Sequence, residues 1–174
     1  MQSAPIPASE PQRLEALRST ALLDTAAEPV FDELVTLTAR LLGAPIAAFN
    51  LVDADRQWTK AGFGMASGDQ APREGSFCAH AVVEDATLVV PDTTSDPRFA
   101  GNDMGLGFYA GTPVTVGGQR IGTLCIAGEE PHTPSADAST RSVSRSSALG
   151  VCGSSPAMHS VPIRWPPTVT GVPA

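Results

Sequence analysis

Positive charge is scarce in this chain. Lysine occurs once, at Lys60, and Lys and Arg together number 11 against 18 Asp and Glu, for a net charge of −7. Nucleic acid and anionic membrane surfaces both call for clustered cations, so both are excluded as partners. No apolar run is long enough, at about 18 residues, to span a bilayer. The three cysteines are odd in number and widely spaced, which excludes a disulfide framework. The opening MQSAPIPASEPQRLEAL has no basic start followed by an apolar stretch, so it is not a secretion signal. No GxxxxGK[ST] phosphate loop occurs, and Gly101–Gly107 (GNDMGLG) misses the dinucleotide fingerprint. What is present is 174 residues, one domain's worth, with 42% hydrophobic residues to build a core. The expectation is a soluble, cytoplasmic protein with reduced thiols.

The chain divides unequally. Of the 18 acidic and 11 basic residues, 17 and 8 precede residue 135. Ser135–Ala174 holds 9 Ser, 5 Pro and 3 Gly, and only 7 of its 40 residues are Leu, Ile, Val or Phe. That is below the level at which burial offsets chain entropy. The expected organisation is a flexible N-terminus at 1–9, a folded domain at 10–134 and a disordered or aberrant tail at 135–174. No internal repeat occurs, which argues against a solenoid.

Ser9-Glu10-Pro11-Gln12 fits a capping box, and Leu14, Leu17, Ala21 and Leu22 follow at helical spacing, predicting a helix over 10–23. Thr25-Ala26-Ala27-Glu28 fits a second box. It opens a helix over 26–42 whose apolar stripe is Phe31, Leu34, Leu37, Thr38, Leu41 and Leu42, closed by Gly43 and Pro45. Strand patterns then dominate. Pro45–Asp53 and Gln57–Phe63 read as a hairpin, and Gly62–Gly75, with four glycines, as a mobile loop. Phe77–Asp85 reads as a short helix or turn, Leu88–Pro91 as a strand, and Ser95 as the N-cap of a helical turn. Phe108–Val116, the Gly117-Gly118 turn and Gln119–Ala127 form the clearest hairpin. The fold class is α+β, with one antiparallel sheet covered by helices.

Few residues offer chemistry. Cys78 and His80, in Ser76-Phe77-Cys78-Ala79-His80, have metal-ligand character, but two ligands do not make a site, and a small core cysteine beside a hydrogen-bonded histidine explains the pair as well. Cys78 as an activated thiol with Cys125 as resolving partner gives a redox enzyme, although Cys125 sits in the apolar strand Ile121–Ile126, where an inert thiol is the default. Asp53, Asp55, Asp85, Asp92 and Asp96 fall at strand ends and turns, where Asp is favoured for its own sake. Lys60, near Trp58, reads as a snorkelling surface residue rather than a Schiff-base nucleophile. Trp58, Phe63, Phe77, Phe99, Phe108 and Tyr109 supply either a small core or a ligand pocket.

The segments LLDTAAEPVFDELVTLTARLLGAPIAAFNLVDADRQWTKAGFG, REGSFCAHAV, LVVPDTTSDPRFA, FYAGTPV and GTLCIA follow in an order that resembles a GAF domain. The resemblance covers about residues 10–132 and is to the subgroup found N-terminal in bacterial sensor histidine kinases and diguanylate cyclases. It implies a central antiparallel sheet of five or six strands with helices packed on it. The role it implies is regulatory, without catalysis: sensing a small molecule, or pairing as a homodimer or with a separate signalling effector. No particular cofactor follows. By the resemblance, a pocket between the sheet and the 62–110 side is walled by Trp58, Cys78, His80, Asp92, Phe99 and Tyr109.

The sequence also departs from that family. Only residues 101–107 join DPRFA to FYAG, and Gly107 stands where relatives often carry an Arg able to hold an anion. Ala79 separates Cys78 from His80, unlike the Cys-His pair of tetrapyrrole-binding members, and the placement of Cys78 and Cys125 does not reproduce the GAF-fold methionine sulfoxide reductases. After Glu130-Pro131-His132 the expected amphipathic helix is missing, as a slip of reading frame near residue 135 would leave it truncated.

Overall fold

Gly117 and Gly118, with φ of 58° and 79°, reverse the chain in a way residues bearing a Cβ adopt with difficulty. Around that turn stand the two longest strands of the protein. The computed structural model describes residues 1–133, and the expected tail at 135–174 lies outside them. In chain order the elements are α1 (Glu10–Ser19), α2 (Pro29–Leu42), β1 (Ile46–Val52), β2 (Arg56–Phe63), β3 (Gln70–Pro72), α3 (Phe77–Ala81), β4 (Leu88–Val90), β5 (Phe108–Val116) and β6 (Gln119–Gly128). The strands form one antiparallel sheet in the order β3-β2-β1-β6-β5-β4.

Alternation along the central strands separates two cores. Ala47, Phe49 and Leu51 of β1 and Ile126 of β6 meet Leu17 of α1 and Val35 and Ala39 of α2 on one face. Ala48 and Val52 of β1, with Cys125 and Ala127 of β6, meet α3, Val82, Val90, Phe99 and Tyr109 on the other. Each fully buried Leu, Val or Phe contributes about 1.5–3 kcal/mol to holding these layers together.

Two bulges set which side chains face where. Asn50 pairs with Thr59 and Phe49 with Ala61, leaving Lys60 as the extra residue of β2. Lys60 therefore turns to the α1/α2 side and is buried, where Nζ donates to Thr25 Oγ1 at 2.6 Å and Ala26 O at 2.8 Å and pairs with Glu28 Oε1 at 2.6 Å. It is not the snorkelling surface residue expected. Ile121 is the corresponding extra residue of β6, lying between the pairs Val114–Gly122 and Thr115–Arg120.

Several local expectations are corrected. Neither capping box forms: Ser9 and Glu28 precede α1 and α2 without a side-chain cap bond. Thr25 Oγ1 instead donates to Leu22 O and accepts from Lys60, and α2 starts at Pro29, whose fixed φ suits the first helical position. α1 stops at Ser19, short of residue 23. The buried stripe of α2 is Val35 and Ala39, flanked by half-buried Phe31 and Leu42, while Leu34, Leu37 and Leu41 are exposed. The loop expected at 62–75 contains β3, paired with β2, and Thr59 N donates to Asp69 O at 2.8 Å. At 95–100 the cap is Asp96, which accepts from Arg98 N, whereas Ser95 Oγ donates to Asp92.

The opening residues, expected to be flexible, have specific contacts. Gln2 N donates to Arg98 O at 2.9 Å, and Ala4 packs on the α3-side core. Beyond them, Glu10 of α1 holds two guanidinium groups, those of Arg13 and Arg73, at 2.7 and 2.5 Å. Arg13 also donates to Val52 O at 2.6 Å, tying α1 to the end of β1.

Candidate functional site

α3 is short but well specified. Ser76 caps it by accepting from Ala79 N at 3.2 Å and donates onward to Gln57 Oε1 of β2 at 2.6 Å. Small side chains at Ala79 and Ala81 let the helix lie close on the sheet, and all five of its residues are buried.

Cys78 is the centre of a buried polar cluster. Its Sγ accepts from Asn50 Nδ2 at 3.3 Å and from Tyr109 Oη at 3.3 Å. The same Asn50 amide donates to Cys125 Sγ at 3.5 Å, while its oxygen accepts from Thr59 Oγ1 at 2.8 Å. Thr123, paired with Asn50 across β1 and β6, is fully buried, and its hydroxyl lies beside Cys78 and Tyr109 without a well-formed hydrogen bond to either. Gly111 makes room for Tyr109, since a Cβ there would overlap the phenol.

This setting shifts the acid–base behaviour of three groups. Burial alone would raise the Cys78 thiol, but the polar groups of Cys125, Thr123, Tyr109 and Asn50 around it outweigh that and bring it down to about 7. Burial, with the neighbouring sulfurs, pushes the Tyr109 phenol well up. Cys125 is also pushed well up, first by its hydrogen bonding to Cys78 and then by burial. If either sulfur carries charge, it is that of Cys78.

Aromatic rings enclose the cluster. Phe77 stacks on Phe99 at 4.4 Å and on Tyr109 at 5.1 Å, and His80 meets Phe99 edge-on at 4.9 Å. His80 Nε2 lies 3.0 Å from Gln2 O, so the opening residues lie over this end of α3.

Of the six expected pocket residues, Cys78, His80, Phe99 and Tyr109 come together, closing on one another as a stack rather than around an open hollow. Asp92 lies at the rim, where its carboxylate accepts from Thr94 N, Thr94 Oγ1 and Ser95 Oγ at 2.6–2.9 Å. These bonds hold its pKa below the usual carboxylate value. Trp58 does not belong with the others. It pairs with Leu51 and faces the α1/α2 core, on the opposite side of the sheet. Asn50, Thr59 and Thr123 complete the cluster beyond the expected residues, and a polar residue inside the apolar run PIAAFNLVD is the readable signal for the first of them.

The family model for the GAF domain matches residues 26–149. The chain belongs to the GAF domain family. Over 143 residues this GAF domain is 36% identical to the cyclic di-GMP phosphodiesterase PA2567 of Pseudomonas aeruginosa, a match covering 79% of this chain and 24% of that protein. The chain thus spans about a quarter of the length of that curated relative. Among solved structures, it is similar to the GAF domain of a phosphoenolpyruvate-protein phosphotransferase from Coxiella burnetii, with a TM-score of 0.54, 15% identity and coverage of 78% and 88% of the two chains. Another is the free methionine-R-sulfoxide reductase of Neisseria meningitidis, at 0.53, 18%, 83% and 90%. A third is the phycocyanobilin-bound GAF domain of a cyanobacterial phytochrome, at 0.54, 14%, 76% and 88%. These structural likenesses establish the fold of this GAF domain, a family of signalling sensor domains.

Among the described residues of this GAF domain, no three His, Cys, Asp or Glu side chains are grouped to hold a metal. No helix among them is long and apolar enough to cross a membrane. The cluster around Cys78 therefore offers an amide, a phenol, a hydroxyl and two thiols set in apolar walls.

Proposed function

We propose that this GAF domain is a regulatory sensing module of bacterial signal transduction with no catalysis of its own. Its small-molecule ligand binds where α3 meets the sheet. The observation that carries the reading is the buried polar cluster of Asn50, Cys78, Tyr109 and Thr123, in which the Thr123 hydroxyl lies beside Cys78 and Tyr109 without a well-formed hydrogen bond, since a poorly paired buried polar atom is costly unless something else satisfies it. Phe99 and His80 line the same end, and Asp92 sits at its rim. To enter, the ligand parts Gln2 from His80 and Arg98. Those opening residues lead into α1, which the Glu10–Arg73 pair fastens to the segment before α3. Ligand binding then shifts the population of α1 positions, and a homodimer partner or a separate effector reads that shift. The similarity to one quarter of a phosphodiesterase supports a role as the sensing portion of a larger signalling protein; we place it in the cytoplasm.

Native mass spectrometry and an absorption spectrum of the purified protein test this reading. A copurified small molecule, or a saturable one whose affinity falls in Thr123→Val, is the expected result. Turnover abolished by Cys78→Ser would overturn it.

The Cys78 thiol, held near 7 beside Cys125, supports a second reading as a methionine sulfoxide reductase. In it the Cys78 thiolate attacks the sulfoxide sulfur and, with two protons, releases methionine and water as a Cys78–Cys125 disulfide forms. Both thiols are buried, at 2% and 6% exposure, which favours recognition over turnover.

A further inference from the structure

α2 carries two apolar faces and the fold uses one. Val35 and Ala39 are buried against the sheet, but Val30, Leu34, Leu37 and Leu41 stand open to solvent at 64%, 41%, 56% and 38% exposure. At 3.6 residues per turn these four fall within about 60° of one another, a straight seam running the length of the helix. Leu at three of four seam positions is more apolar surface than a solvated helix face carries by chance.

The flank of the seam is charged in a pattern that identifies the partner. Glu33 and Arg40 are both exposed, lie seven residues apart, and so stand on the same side of the seam. Neither forms an ion pair among the described residues. Two copies of α2 laid antiparallel across a twofold axis near residues 35–37 bring Glu33 of each copy beside Arg40 of the other. The seam, whose midpoint is the same region, then meets itself. A parallel pairing about a twofold axis would instead put the Glu33–Arg40 flanks of the two copies on opposite sides of the seam, where Glu33 meets no Arg40.

The geometry points to a second copy of this chain as the occupant of the seam, docked antiparallel through α2, with Leu34 and Leu37 at the centre and the two Glu33–Arg40 pairs at the ends. α1 does not compete as a pairing surface, because it spends Leu17 and Arg13 inside its own fold. One helical seam falls short of the ~800 Å² per partner of a stable interface, so the dimer is concentration-dependent. The pairing does not rest on the sensing reading, and a dimer with no ligand, or a ligand-binding monomer, separates the two.

Sedimentation of the full chain across a range of concentrations tests the proposal, using Leu37→Glu, Glu33→Arg and the double swap Glu33→Arg/Arg40→Glu. All three alter exposed positions, and thermal melting checks that each is folded. The wild type is expected to dimerise, and Leu37→Glu to weaken the dimer about tenfold or more. Glu33→Arg is expected to weaken it roughly tenfold through two symmetry-related pairs, and the double swap to restore it. A wild type that stays monomeric at every concentration overturns the proposal. If Leu37→Glu then also lowers the melting temperature by several degrees, the seam is covered from within its own chain. A dimer indifferent to Leu37→Glu, or one that the double swap does not restore, overturns the antiparallel α2 pairing.

Discussion

Lys60 Nζ sits 2.6 Å from Glu28 Oε1, with the lysine side chain fully buried and the glutamate half open to water. The chain's one lysine thus clasps the segment between α1 and α2 from beneath. Lys60→Ala loses the ion pair, two hydrogen bonds and the contact with the Phe31 ring at 5.4 Å. It is expected to cost about 2–4 kcal/mol in urea denaturation. Glu28→Gln is expected to cost only about 1 kcal/mol, because Nζ keeps Thr25 Oγ1 and Ala26 O.

Acid should loosen the hold of α1. Burial would raise the Glu10 carboxyl, but hydrogen bonds and attraction from Arg13 and Arg73 bring it from 4.5 to about 2. A folded-state pKa below the unfolded one adds stability above about pH 4.5 and loses it as pH falls toward 2. The shift corresponds to roughly 3 kcal/mol, for a side chain that is only 13% exposed. Glu10→Gln should lower stability at pH 7 and show a flatter stability profile between pH 5 and 2 than the wild type in denaturant titrations.

Tyr109→Phe removes one donor from Cys78 Sγ without changing the ring stack. The expected cost is about 1 kcal/mol. Because the phenol helps hold the Cys78 thiol at about 7, that thiol should titrate higher in the variant. The pH dependence of slow thiol labelling would register the change, and a labelling profile identical to the wild type would remove Tyr109 from the cluster's electrostatics.

Thr123→Val replaces a buried hydroxyl that makes no well-formed hydrogen bond with a methyl group of similar size. It should be neutral or stabilising by up to about 1 kcal/mol in thermal unfolding. Lost stability would mean that the hydroxyl is already satisfied within the fold.

Asp85→Asn should change stability by less than about 0.5 kcal/mol, although the Asp85 carboxylate pairs with Arg120, because Asp85 is almost entirely exposed. Chemical denaturation of the two proteins side by side is the check.

The hairpins were legible in the sequence because alternation and Gly-Gly punctuation act locally. β5 and β6 formed as the pattern demanded. α2 was also legible as a helix, but its buried face was not. Its leucines outnumber Val35 and Ala39, yet close approach to the sheet rewards the smaller side chains, so burial followed shape rather than hydrophobicity. The second capping box failed because Lys60 takes Thr25 Oγ1, and the first because the Ser9 backbone, at φ −86° and ψ 14°, is not in the extended conformation of a capping residue. Trp58 faces the α1/α2 core rather than the Cys78 side because which face a strand residue takes depends on register, and sequence order alone does not give it. Cys78, His80, Phe99 and Tyr109 were legible as a group, since a short capped helix and an aromatic-rich strand have few other places to go. Asn50 and Thr123 entered the cluster through a cross-strand pairing between residues 73 positions apart.

The contact of Gln2 with His80 and Arg98 bears on how this protein is handled at the bench. An affinity tag fused ahead of Met1 is tethered one residue from the carbonyl that faces the imidazole. Purification handles at that end would tug on the cover of the Cys78 cluster, and measured affinities would then report the handle together with the protein.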